Sequence, residues 1–97
     1  MEKQTRKSKY ELKLYVSGAS PNSVRAINNL NQLLESHLSG NFTLTIIDVR
    51  QEPAVAQREQ IIALPMLVRE HPGPRRKMIG DMSNTQKVLA GLGIENE

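Results

Sequence analysis

From Tyr10 to Val16 the chain alternates apolar and polar positions almost strictly. That is the two-residue period of a strand, with Leu12, Leu14 and Val16 on its core face. Ser17-Gly18-Ala19 breaks the alternation. Ser20 then reads as a helix N-cap and Pro21 as the first helical residue, where proline's missing N–H leaves nothing unpaired. Val24, Ile27, Leu30, Leu34 and Leu38 recur at spacings of three and four. They predict a helix with one apolar stripe. His37 lies in its last turn, where positive charge is favoured, and Gly40 is expected to supply the left-handed cap.

Residues 42–49 predict the second strand. Phe42, Leu44 and Ile46 alternate, and Ile47 and Val49 fill the opposite face. A strand apolar on both faces is expected to be central and covered on both sides. Glu52-Pro53 opens a weaker helical stretch to about Ile62. Residues 63–68 are a short apolar segment with Pro65 inside it, so Pro65 is expected to start or interrupt a strand. Residues 70–74 read as a turn and residues 75–80 as an edge strand. Ser83 and Gln86 have the spacing of a capping box, with Val88, Leu89 and Leu92 on the short helix behind it.

The predicted order is β-α-β-α-β-β-α, and its first βαβ unit must be parallel and right-handed. That order, with a proline opening the third strand, is the plan of thioredoxin. Thiol chemistry on this plan needs two cysteines at the first strand-to-helix turn. Here the turn reads Gly18-Ala19-Ser20-Pro21-Asn22-Ser23, and the chain has no cysteine. Disulfides, thiol catalysis, Cys-ligated zinc and iron–sulfur clusters are thereby excluded.

At 97 residues the chain holds one domain. It has two tyrosines, one phenylalanine and no tryptophan, so the core must be aliphatic. The net charge of +3 is already present in residues 1–9, leaving residues 10–97 neutral. We therefore expect a basic, flexible N-terminal arm over 1–9, one domain over 10–94 and a short tail over 95–97. No run of about 18 apolar residues exists to cross a bilayer. The basic opening has no apolar stretch behind it, so we expect no secretory signal and a cytoplasmic protein.

Candidate chemistry is sparse. A serine without a base is inert, and neither His37 nor His71 is close in sequence to Ser20 or Ser23. Two isolated histidines do not make a metal site, so no metal or cofactor is expected. Asp48 and Asp81 could form a carboxylate pair, but each also has a structural role, ending a strand and starting a helix. Gly91-Leu92-Gly93 lacks the third glycine of a dinucleotide loop. Arg75-Arg76-Lys77 is a compact basic patch, suited to an acidic partner, to phosphate, or to guarding an edge strand against aggregation. The expectation is a non-enzymatic interaction domain. The alternative is a weak nucleic-acid binder using the basic arm with residues 75–77; a thiol redox protein on the same fold is opposed by the missing cysteines.

Lys13-Leu14-Tyr15-Val16-Ser17-Gly18 followed by Ser20-Pro21-Asn22-Ser23-Val24-Arg25-Ala26 resembles the opening of the KaiB family of circadian clock proteins. The resemblance runs through residues 46–49, Pro53, residues 62–67, residues 76–83 and residues 87–92. It implies a small adaptor without catalysis of its own that binds the hexameric KaiC-type ATPase. KaiA or a KaiB-like sensor kinase would be further partners, and the output would be timing or stress regulation. The other reading is a thioredoxin-fold interaction module unrelated to a clock.

The family is metamorphic, and so the resemblance implies a constant N-terminal βαβ unit. The C-terminal half would be either thioredoxin-like (αββα) or in the resting arrangement (βααβ), the latter expected for the isolated protein as a dimer or tetramer. It also places partner contact at Arg58, Glu59 and Gln60. Gln60 stands where the family commonly has lysine, which bears on affinity for the ATPase. Leu64-Pro65-Met66-Leu67 replaces the family's Thr-Pro-Thr-Leu, and Gly91-Leu92-Gly93 its Gly-Leu-Asp. Pro65, Gly91 and Gly93 are the expected fold-switch positions. Pro65 would be cis in the thioredoxin-like form, and each glycine would weaken the last helix by about 1 kcal/mol relative to alanine.

Overall fold

The computed structural model describes residues 9–61 and 63–94. The elements follow as β1 (Tyr10–Val16), α1 (Pro21–His37), β2 (Phe42–Asp48), α2 (Pro53–Arg58), β3 (Met66–His71), β4 (Arg76–Ile79) and α3 (Thr85–Leu92). The four strands form one sheet in the order β2-β1-β3-β4. β1 and β2 run parallel, from Tyr10 opposite Phe42 to Val16 opposite Asp48. β3 pairs antiparallel with both β1 and β4. Of the expected arm, only Lys9 is described; residues 1–8 and the tail 95–97 lie outside the described residues.

Alternation along β1 divides the core in two. Leu12, Leu14 and Val16 face α1 and α3, with Leu30, Leu34 and Leu92 among their neighbours. Tyr15 points the other way, into a smaller cluster with Met66 and Val68 that Val55 of α2 and Ile61 cover. The sheet is thus sandwiched, with α1 and α3 on one face and α2 on the other.

In this structure the C-terminal half runs α2-β3-β4-α3, the thioredoxin-like order rather than βααβ. Local signals accord with this order on α2, β3 and α3. Pro53 opens α2, and Pro65 directly precedes β3, with a cis Leu64–Pro65 bond. α3 is capped at both ends: the Asn84 side chain accepts from Lys87 N, and Gly93 stops the helix at φ +78°. The cap is therefore one residue later than the expected Ser83, whose own N–H is taken by Asp81 Oδ1 at 3.0 Å. Gly93 does not weaken the helix as expected. It sits in the left-handed conformation that terminates it and that residues with a Cβ adopt at a cost.

Two further expectations change. β2 is an edge strand, not a central one, and Ile46 is 43% exposed. Its two apolar faces reflect cover from both sides: Phe42 and Leu44 pack on the larger cluster, Ile47 on the smaller. Apolar faces report what lies above and below a strand, not what lies beside it. On α1 the buried face is Ser23, Ala26, Leu30, Leu33 and Leu34, while Val24 is 42% exposed. Ser23 takes an inner position because its hydroxyl is satisfied there, accepting from Ser17 N at 3.1 Å and from the Ser20 hydroxyl at 2.8 Å. The helix itself ends with Leu38 as its cap, and Gly40 takes the left-handed conformation two residues on.

Candidate partner-binding surface

At the first strand-to-helix turn, Ser20 caps α1 by accepting from Ser23 N. Ser20 and Ser23 have the i, i+3 spacing of a dithiol, and their hydroxyls bond to each other. Asp48 braces the same turn, its Oδ1 accepting from Gly18 N at 3.0 Å and Arg50 N at 2.9 Å. Asp81 is held elsewhere, 3.5 Å from Arg25 Nε, with its pKa lowered mainly by hydrogen bonds from Ser83. Each carboxylate serves its own turn, and no structural feature joins them as an acid–base pair. Among the described residues no group of three or more His, Cys, Asp or Glu could hold a metal ion, and no helix is long and apolar enough to cross a membrane.

Arg58, Glu59 and Gln60 lie together where α2 ends. Arg58 is the last helical residue, Glu59 the cap, and Gln60 turns the chain with φ +57°. The expected helix to Ile62 is cut short by this turn; Ile62 itself lies outside the described residues. Glu59 ties the turn to β4: its carboxylate accepts from Arg75 Nη2 at 2.8 Å and its carbonyl from Lys77 Nζ at 3.2 Å. Arg75 also holds Glu70 at 3.0 Å. The Arg75 hydrogen bond keeps the Glu59 pKa below its ordinary value. Beneath this network the Tyr15 hydroxyl is buried with no hydrogen-bond partner among the described residues, and burial pushes its pKa up. Two cations of the 75–77 triplet are therefore already engaged within the fold, which weakens its reading as a nucleic-acid patch.

Pro65, Gly91 and Gly93 belong to a different region. Pro65 is buried, and its carbonyl accepts from Gly80 N at 3.0 Å. Gly91 is buried on α3, and a methyl group there would run into the Met78 side chain. Next to both glycines is a residue the sequence did not single out. Arg69, only 8% exposed, donates to Leu92 O at 3.0 Å, Gly91 O at 3.4 Å and Pro74 O at 3.1 Å. The available signal was a charge directly continuing the apolar run 66–68 on one strand, since a guanidinium buried there must find acceptors.

The class these features define is a thioredoxin-fold domain with a serine pair in place of the thiols. Mitochondrial thioredoxin 3 from Saccharomyces cerevisiae superposes with a TM-score of 0.71 over 89% of this chain and 78% of its own, at 17% identity. The N-terminal domain of Synechococcus elongatus SasA gives 0.73 over 100% and 95%, at 19% identity. Sequence is more particular. The KaiB domain model matches residues 13–94. Circadian clock oscillator protein KaiB of Thermostichus vulcanus is 48% identical over 85 residues, covering 88% of this chain and 79% of its own. The protein of that name from Cyanothece sp. is 48% identical over 88 residues, covering 91% and 84%. The chain belongs to the KaiB family.

Proposed function

We propose that this chain is a non-catalytic cytoplasmic adaptor that binds a KaiC-type ATPase hexamer in its thioredoxin-like form and regulates timing or stress output. KaiA or a KaiB-like sensor kinase would join or compete at that assembly. The observation that carries this reading is the end of α2. Arg58 and Gln60 face solvent there on a turn that Glu59 fixes to β4, a rigid projection suited to a protein partner. The rest state is a homo-oligomer in which residues beyond β2 take the βααβ arrangement, with Pro65, Gly91 and Gly93 at the points of change. Two such packings coexist only within a few kcal/mol of each other.

Affinity capture with a purified KaiC-type hexamer, with and without ATP, tests the proposal. A stable complex is expected, together with no ATP hydrolysis or insulin reduction by the chain alone. Failure to bind at tens of micromolar, or turnover that survives repurification, would overturn it.

A further inference from the structure

β4 is the open edge of the sheet opposite β2. Gly80 N bonds inward to Pro65 O, and the register pairs Met78 with Leu67 and Arg76 with Arg69. Because the groups of an antiparallel strand alternate between its two sides, Lys77 and Ile79 turn their backbone N–H and C=O outward. The two sides of this edge differ chemically. On the α3 side lies a groove of about 570 Å³, floored by Met78, Val88 and Gly91 and flanked by Arg76 and Lys87. Neither cationic side chain has an ion-pair or hydrogen-bond partner among the described residues. The one carboxylate there, Asp81, is already engaged by Arg25 and Ser83. On the α2 side lies a hollow of about 560 Å³ lined by Gln60, Met66, Lys77 and Ile79, and Ile79 is 59% exposed.

We infer that the β4 edge receives an extended peptide segment of a partner protein in which acidic and aliphatic side chains alternate. Added antiparallel as a fifth strand, such a segment directs successive side chains to opposite faces of the sheet. Its carboxylates meet Arg76 and Lys87, and its aliphatic residues cover the exposed Ile79. Residues directly opposite each other lie on the same face, so the aliphatic residues exchange backbone hydrogen bonds with Lys77 and Ile79. A second copy of this chain is a poor occupant, since pairing β4 with itself sets both Arg76–Lys87 clusters together. The inference stands on the edge alone, whether or not a KaiC-type ATPase binds.

The probe is an acetylated, amidated heptapeptide of alternating glutamate and valine, titrated into the full chain at pH 7 and followed by amide NMR. Shifts are expected at Lys77 and Ile79. N-methylation of the valines should abolish binding, and N-methylation of the glutamates should not. The Arg76→Glu/Lys87→Glu variant, confirmed folded by its spectrum, should bind at least tenfold more weakly and should instead bind a lysine–valine peptide. Any of four results would overturn the inference. They are no binding at millimolar peptide, an affinity indifferent to charge reversal or valine methylation, shifts confined to residues 42–48, and tighter capture of polyuridine RNA than of peptide. Dimerisation through β4 at the same concentrations would also overturn it.

Discussion

Gly93 and Gly91 look alike in sequence and act in opposite senses. At φ +78° Gly93 supplies the left-handed stop of α3, and a Cβ there would also come within 3.2 Å of Arg69 Nη1. Gly93→Ala should therefore destabilise the structure by about 1–2 kcal/mol, the cost of that conformation for an L-residue. Chemical denaturation measures it, and an unchanged midpoint would contradict the assignment. Gly91 is helical, so alanine gains about 1 kcal/mol of propensity there, but it must displace Met78. Met78 is unbranched and can move at some cost. A double-mutant cycle should show Gly91→Ala more stabilising in a Met78→Ala background, with a coupling of at least about 0.5 kcal/mol. Equal effects in both backgrounds would show that the contact does not matter. Spacing revealed that these glycines sit near a helix end. It did not reveal which one takes the left-handed turn, because that depends on where the last helical hydrogen bonds fall.

At the scale of elements, β1, α1 and the order of all seven segments were legible, because alternation, proline position and capping residues are local. What was not legible depends on neighbours far along the chain. β2 lies at the edge because β3 inserts on the far side of β1, a fact that no window of eight residues contains. Arg69 works through carbonyls more than twenty residues away. Arg69→Met removes those donors, and we expect a loss of about 1–3 kcal/mol, the usual cost of stranding buried polar groups. Hydrogen exchange should accelerate at residues 89–94 more than in β1; uniform acceleration would mean that Arg69 is not a specific clasp for α3. The tie between α2 and β4 makes a second prediction. Glu59 is held below its ordinary value of 4.5, chiefly by Arg75. The folded state thus binds this proton less readily than the unfolded state. Its stabilising effect is present above that value and is lost as pH falls through the lowered one. Stability should drop as pH falls below the ordinary carboxylate range, and Glu59→Gln should flatten the drop in part, since Asp81 is lowered in the same sense. An unchanged pH profile in that variant would remove Glu59 from the account.

For the molecule as a whole, most residues that specify the fold and those proposed to meet a partner are separate, with Glu59 serving both. The buried clusters and the serine turn build a thioredoxin scaffold. At the end of α2 Arg58 and Gln60 face solvent, and along the β4 edge Arg76, Lys77 and Ile79 do so. Family resemblance named residues 58–60; only the structure shows that they form one braced turn. The most direct test is amide hydrogen exchange of the chain alone and bound to a purified KaiC-type hexamer with ATP, repeated with Gln60→Lys. New protection is predicted at residues 58–60, with β3 and β4 protected as strands in the complex and tighter binding by Gln60→Lys. Protection that bypasses residues 58–60, together with unchanged affinity in Gln60→Lys, would contradict the account.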